Sequence, residues 1–309
     1  MILSVSRRTD IPAHYGDWFI NRLKEGFLCV RNPVNPRQVS KISLSPETIE
    51  CIVFWTKNPS AKFLEDLKII DSLGYTYYFQ YTITSYDKSI EENIPEKRFQ
   101  IERFKKLSER LGKERLVWRY DPIFFTERFN FDYHKKWVEY IASKLENCTE
   151  KCVVSFLDYY PKIQNRLHLK GVPEVTESQI LEFAPFLPEA ANKYGIAVEA
   201  CCEKALLRLP GIGQAHCIDS VLVNKITGKN YSFKKDSSQR PGCGCAKSID
   251  VGAYNTCLNK CVYCYANRHE NVRVQYDHES PLLCSFLTAE DTVTERVMES
   301  AGICSPELF

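Results

Sequence analysis

Residues 51–83, CIVFWTKNPSAKFLEDLKIIDSLGYTYYFQYTI, read as strand, helix and strand in succession. Cys51 to Trp55 is a short β-branched and aromatic run. Phe63, Leu67 and Ile70 then recur at i, i+4 and i+7, one face of a helix. Tyr75 to Ile83 returns to strand composition. The same alternation extends both ways. Ile2 to Val5, Arg115 to Tyr120, Cys152 to Leu157 and Ile196 to Cys201 are further strand-like runs. Tyr15, Trp18, Phe19 and Leu23 form a helical stripe, Ile101, Phe104, Leu107 and Leu111 another, and Phe131 to Leu145 a less regular one. Strand–helix alternation of this spacing predicts an α/β fold with a parallel sheet. The expectation is a barrel-like sheet, partial or TIM-type, of about six strands. A doubly wound open sheet is the alternative, although no G-x-G-x-x-G turn supports a dinucleotide site.

Barrel folds build their sites at the C-terminal strand ends. Those ends read Ser6-Arg7-Arg8-Thr9-Asp10, Thr56-Lys57-Asn58, Gln80-Tyr81-Thr82, Arg119-Tyr120-Asp121, Asp158-Tyr159-Tyr160 and Glu199 followed by Cys201. Arg7, Arg8, Lys57 and Arg119 are candidates for holding an anionic ligand, with Asp10 orienting the paired arginines. Asp10, Gln80, Asp121 and Glu199 are candidates for orienting polar groups such as ribose hydroxyls. Loops after strands are polar in any case. Lys57 and Arg119 stand out because each follows directly on an apolar strand pattern.

From about Leu207 the periodicity breaks, with Pro210-Gly211 as the breaker pair. The expected division is an α/β barrel-like domain over residues 1–206 and a cysteine-rich segment over 207–309, packed on the barrel. A last helix is expected from Ala289 to Ala301, with Thr288 and Asp291 as a capping box and Val293, Val297 and Ala301 on one face.

The 309 residues carry 14 cysteines, 44% hydrophobic and 26% charged residues, and a net charge of +2. This is the composition of a globular chain with ample apolar surface to bury. A charge this small gives no global field for nucleic acid, and the 17 Tyr, 17 Phe and 4 Trp belong to a core more often than to a base-stacking groove. No apolar run is long enough to span a bilayer. Met1-Ile2-Leu3-Ser4-Val5-Ser6-Arg7-Arg8 places its charges after a very short apolar stretch, unlike a secretory signal. The expected compartment is the cytoplasm, where clustered thiols signify metal or redox chemistry more often than disulfides. Neither H-E-x-x-H nor G-x-S-x-G occurs. His14, His134, His168, His269 and His278 are scattered and read as surface or satisfied residues.

Eight cysteines lie between Cys201 and Cys264. Cys257-Leu258-Asn259-Lys260-Cys261-Val262-Tyr263-Cys264 places three thiols at x3 and x2 spacing on one loop, enough for three irons of a cubane cluster. A zinc site made by these three with Cys243 or Cys245 is the competing reading. A second group, Cys201, Cys217, Cys243 and Cys245, is a candidate for another cluster or for zinc, with His216 as an alternative ligand. Cys201, Cys202 and Cys217 as plain buried thiols are the bland alternative. Cys29, Cys51, Cys148, Cys152, Cys284 and Cys304 read as core or incidental residues.

The C-x3-C-x2-C loop, with Tyr263 before the third cysteine and Asn255-Thr256 before the first, resembles the signature of radical S-adenosylmethionine enzymes. The resemblance implies a [4Fe-4S] cluster whose open iron chelates S-adenosylmethionine. It also implies reductive cleavage to a 5′-deoxyadenosyl radical and hydrogen abstraction from a small-molecule or peptide substrate, with an electron donor as partner. Tyr263 would pack over the cluster or the adenine. In that superfamily the triad follows the first strand, and a Gly-Gly-Glu stretch commonly holds the methionine amine. Here the triad lies near residue 260 and that stretch is absent, so a permuted arrangement is expected, the loop folding back over the strand ends.

The chain also resembles, nearly end to end, a bacterial family known only as domain of unknown function 1848. The likeness rests on Ile2 through Pro12, Phe54 through Pro59, Trp118 through Pro122, Cys243-Gly244-Cys245, and Tyr254 through Asn267. It implies a C-terminal cluster and supplies no substrate. Two other classes stay open, a zinc-stabilised barrel hydrolase or nuclease and a non-catalytic iron-sulfur redox or binding protein.

Overall fold

The computed structural model describes residues 1–203, 205–240, 242–268 and 275–303. His269 and Cys304, both expected to be incidental, lie outside them. The chain begins with strand β1 (Ile2–Val5), helices α1 (Ile11–His14) and α2 (Gly16–Glu25), and the hairpin β2 (Phe27–Arg31) and β3 (Gln38–Ser43). Strand–helix units follow: β4 (Cys51–Thr56) and α3 (Ala61–Ser72), β5 (Tyr77–Thr82) and α4 (Lys97–Leu111), β6 (Leu116–Ile123) and α5 (Phe131–Lys144). After β7 (Lys151–Phe156) come three short helices, α6 (Gln164–Leu169), α7 (Glu177–Phe183) and α8 (Phe186–Asn192), and then β8 (Ala197–Ala200). The remaining elements are β9 (Ile212–Gln214), α9 (Ser220–Thr227), β10 (Tyr231–Ser232), β11 (Ser248–Asp250), β12 (Thr292–Glu295) and β13 (Gly302–Ile303).

The main sheet has eight strands in the order β11-β1-β4-β5-β6-β7-β8-β9, and every neighbouring pair is parallel. The six strands legible as periodic runs are all in it. The other two, β9 and β11, come from beyond residue 206. The pairings of the described residues include no ladder between β9 and β11, so the sheet is open there. Just beyond those strands Ala246 N donates to Ile218 O at 3.0 Å, joining the two edges at one point.

Side chains alternate across the strands, and both faces are covered. Leu3, Val5, Ile52, Phe54, Phe79, Trp118, Tyr120 and Val154 pack against Trp18, Phe19, Phe63, Leu67, Phe104 and Ile141 of the helices. On the other face Ile2, Cys51, Val53, Tyr78, Val117 and Val153 meet Cys217, Ile218, Leu222, Cys243 and Cys245. The segment after β9 therefore plugs the face that the helices leave bare. Caps fix where the crossover helices begin: Ser60 Oγ accepts from Phe63 N at 3.1 Å, and Asn130 Oδ1 accepts from Tyr133 N at 3.0 Å.

The helix expected from Ala289 to Ala301 does not form. Asp291 does accept from Thr288 N at 2.8 Å, which is half of a capping box. The β-branched Thr292-Val293-Thr294 then extends as β12, parallel to β3 in the small sheet β12-β3-β2. Its flanks are sealed by Thr292 N to Arg37 O and Arg296 N to Lys41 O, both at 2.8 Å. Val293 and Val297 are exposed instead of lining a buried face. Among the described residues no helix is long and apolar enough to cross a membrane.

Candidate metal and cofactor site

The C-terminal end of β1 is organised by a carboxylate from β11. Asp250 accepts from Ser6 Oγ at 2.7 Å, Arg7 N at 2.8 Å, Ser4 Oγ at 3.0 Å and Gly252 N at 3.1 Å. The guanidinium Nε atoms of Arg7 and Arg8 each stand 3.8 Å from it. The arginine pair is thus oriented by Asp250, and Asp10, expected in that role, is used elsewhere. The approach is close enough to require glycine: a Cβ on Gly252 would lie 1.9 Å from Ser6 Oγ. Trp55, at the end of β4, has the guanidinium groups of Arg7 and Arg119 over its indole, at 5.7 and 5.2 Å from the ring centre.

Asp10 caps α1 by accepting from Ala13 N at 3.1 Å. Its other oxygen accepts from Lys57 N at 2.8 Å and from Asn259 Nδ2 at 3.0 Å. Asn259 belongs to the triad loop, so Asp10 ties β1, β4 and the C-x3-C-x2-C segment together. The loop folds back over the strand ends, as its late position in the chain requires. Further anchors hold it there. Tyr15 OH donates to Thr256 O at 2.5 Å, Val262 N donates to Ile90 O at 2.9 Å, and Glu91 forms an isolated bridge with Cys261. Arg166 caps three loop carbonyls, those of Val262 and Cys264 at 2.5 Å and that of Asn267 at 2.8 Å.

Glu91 is the electrostatic centre of this corner. It is 1% exposed and accepts from Lys57 Nζ at 2.9 Å, Lys97 Nζ at 2.6 Å, Thr84 Oγ1 at 2.8 Å and the Tyr263 hydroxyl. Burial alone would raise its carboxyl, but Lys57 and Lys97 hold it well below the usual carboxylate range. Burial likewise opposes the charge on Lys57, and Glu91 outweighs it, keeping Lys57 protonated above the ordinary lysine range. Burial pushes the Cys257 thiol up to about 12 and raises Cys261 and Cys264 as well.

The second thiol group gathers where the sheet is open. Cys201 follows β8, Cys217 follows β9, and Cys243 and Cys245 precede β11. Cys201 and Cys217 have their sulfurs 3.5 Å apart. Cys245, Cys243 and Cys202 lie near enough for their titration to be linked with that of Cys217. Arg119 Nη1 donates to Cys217 Sγ at 3.1 Å, and Ile218 N donates to Cys245 Sγ at 3.4 Å. Donation from Cys201 and Cys245, with Arg119 beside it, drives Cys217 well below the normal thiol range. Donation from Cys245 brings Cys243 down to about 6. A Cβ on Gly244 would fall 2.4 Å from the His216 ring, so only glycine lets the Cys243–Cys245 turn sit against that imidazole.

Both thiol groups open onto one cavity of about 440 Å3. Cys201, Cys202, Cys217, Cys243 and Cys245 line one part of it; Cys257, Cys261 and Cys264 line another. Among the described residues no cysteine forms a disulfide, and no three His, Cys, Asp or Glu side chains converge on a single-ion position. Thr9 Oγ1 and Asn267 Oδ1 belong to buried residues of the cavity wall and lack a hydrogen-bond partner among the described residues. Orphaned acceptors beside soft thiol donors fit a polar, thiol-bound ligand.

The family described as a domain of unknown function (DUF1848) matches residues 2–266. The chain belongs to that family. No curated protein matches it. Among solved structures, wild-type ZgEngAGH5_4 is similar with a TM-score of 0.26 and 10% identity, over 64% of this chain and 86% of that one. A similarity of that size carries no argument.

In this DUF1848 chain the strand-end candidates separate into two sets. Arg7, Arg8, Asp10, Lys57, Arg119, Asp121 and Tyr263 all line the cavity. Gln80 and Glu199 are not among its lining residues. Gln80 lies beneath Arg119, accepting from its Nη1 at 3.1 Å and donating to Cys217 O at 2.9 Å. Glu199 pairs with Lys151 at 3.2 Å, and Lys151 also reaches Asp219 at 2.7 Å. Arg119 is fully engaged, gripping Asp121 with two bonds besides Gln80 and Cys217. Sequence reasoning missed Asp250, Glu91 and Arg166, whose roles rest on partners far away in the chain. It also left Cys202 out of the second group, although adjacency to Cys201 was a signal for it. The buried His134 behaves as a satisfied core residue: Tyr120 OH lies 2.7 Å from Nδ1 and Phe124 O lies 2.9 Å from Nε2.

Proposed function

We propose that this chain is an iron-sulfur enzyme of the radical S-adenosylmethionine type, with Cys257, Cys261 and Cys264 holding a [4Fe-4S] cluster. The observation that carries this reading is that all three triad cysteines line the same cavity as Arg7, Arg8, Lys57 and Tyr263 at the strand ends. When bound, such a cluster supplies an open iron for the amino and carboxylate groups of S-adenosylmethionine and the electron that splits its sulfonium.

The chain's own residues have definable tasks beside it. Arg7 and Arg8, one-fifth to one-quarter exposed and only loosely held by Asp250, are the cations available to a ligand carboxylate. Lys57 is committed to Glu91, and its role is to set a positive field beside Cys261 and favour the thiolate. Thr9 Oγ1 and Asn267 Oδ1 accept polar hydrogens from the ligand. Tyr263, held by Glu91, closes the apolar side of the cavity and keeps water out.

Anaerobically purified protein tests this through its metal content and its electron paramagnetic resonance spectrum. The triad should account for about four irons with matching sulfide. The reduced cluster signal should shift when S-adenosylmethionine is added, and Cys261→Ala should lose both the iron and the shift. Zinc at the triad without sulfide, or iron content unchanged in Cys261→Ala, would overturn the reading.

A further inference from the structure

The second thiol group owes nothing to the triad and stands on its own geometry. Its sulfurs come from the end of β8, the end of β9 and the approach to β11, three segments that meet only where the main sheet is open. We infer that Cys201, Cys217, Cys243 and Cys245 form a second, independent binding site for a thiophilic metal centre, an iron-sulfur cluster or a zinc ion.

Three features favour a metal over plain buried thiols. A single buried cysteine is accommodated as a small hydrophobe. Here five thiols, Cys202 included, line one part of a cavity that has room for a bound group, and the sulfurs of Cys201 and Cys217 are in contact at 3.5 Å. Nitrogen donors are also aimed at the sulfurs, since Arg119 reaches Cys217 Sγ and Ile218 N reaches Cys245 Sγ. Finally, the backbone around the thiols is fixed in advance. Tyr78 OH and Gln80 Nε2 hold Cys217 O at 2.8 and 2.9 Å, Ala246 N holds Ile218 O, and His216 is 2.8 Å from Gly244 O. Binding replaces the contacts among the thiols with metal–sulfur bonds, and each ligating thiol gives up its proton to solvent.

The two metals share this ligand chemistry, and metal analysis separates them. Wild-type protein, the double variant Cys217→Ala/Cys245→Ala and Cys261→Ala should be compared for iron, zinc and acid-labile sulfide. The double variant should lose either about four irons with their sulfide or about one zinc relative to wild type. The Cys261→Ala protein should keep that complement, so failure of the triad reading leaves this result intact. Should the double variant fold poorly, iodoacetamide labelling of the wild-type chain, mapped by mass spectrometry, gives the second readout. Cys201, Cys217, Cys243 and Cys245 should be protected as purified and labelled after chelator treatment. Equal metal content in wild type and double variant, equal labelling before and after chelation, or a Cys201–Cys217 disulfide in the purified protein would overturn the proposal.

Discussion

Replacing Glu91 by glutamine removes one charge from a nearly closed site and leaves two. The Lys57 and Lys97 ammonium groups lie 2.9 and 2.6 Å from its oxygens, with side chains 15% and 10% exposed. Neither can turn fully to water, and a glutamine amide presents them with a donor where they had an acceptor. Breaking a buried pair by removing one partner costs about 3–5 kcal/mol. With a urea slope near the upper end of the usual range, about 3 kcal/mol per molar, the midpoint of unfolding should fall by roughly 1–2 M. Chemical denaturation of the anaerobic protein, followed by tryptophan fluorescence, measures this directly. Adding Lys97→Met should recover part of the loss, because one stranded charge is then gone and the lysine stem is replaced by an apolar one. The pair should couple by more than about 0.5 kcal/mol in a double-mutant cycle. A midpoint shift below about 0.3 M, under 1 kcal/mol at that slope, would refute the account of Glu91 as the charge centre of the triad corner.

Other outcomes follow from the same contacts. His134 is buried neutral with its pKa lowered to about 4, chiefly by burial, against an unfolded value of 6.5. The unfolded chain binds the extra proton first, so stability should be intact above pH 6.5 and fall as pH drops toward 4, by about 3 kcal/mol in all. His134→Gln should flatten that part of the pH–stability curve; an unchanged slope would count against the assignment. Gly252→Ala forces a methyl onto Ser6 Oγ and should cost about 1–3 kcal/mol, seen as a lower Tm; an unchanged Tm would mean the β1–β11 junction can relax. Arg166→Met uncaps three carbonyls of the triad loop; on the proposed cluster reading it should lower the iron bound at the triad and leave the metal of the Cys217 group in place, and unchanged triad iron would contradict its anchoring role.

The strands and helices legible in the sequence are those whose own side-chain pattern repeats. Cys51 to Trp55 and the Phe63, Leu67, Ile70 stripe carry their fate locally, because burial on each face selects every second or every third-to-fourth residue. Strands β9 and β11 have three residues each and no readable period. Their place is decided by backbone pairing, β9 with β8 from 14 residues upstream and β11 with β1 from 246 residues upstream. The Thr288–Asp291 bond shows the opposite case, a local signal that formed correctly and was then overruled by the free edge of β3. At the site, spacing singled out the triad cysteines, since thiols on one loop sit close in sequence. Asp250 and Glu91 left no such trace: each is an ordinary acid whose partners are identified only when β1 or the triad loop arrives beside it. For the same reason the carboxylate beside Arg7-Arg8 was sought in Asp10, three residues from Arg7, when it lies 243 residues away.

Strand β1 lies between β4 and β11 in the sheet, which gives the order of synthesis a consequence. Its β4 side can pair once some fifty residues have left the ribosome, but its other edge waits for Ser248–Asp250. At about 5–20 residues per second that wait is on the order of 10–40 seconds. Throughout it, Ile2, Leu3 and Ser4 offer unpaired peptide groups to any passing strand. A nascent or truncated chain ending before residue 248 would therefore be an aggregation hazard even with all its crossover helices in place, and chaperone binding to such fragments should cease once β11 is translated.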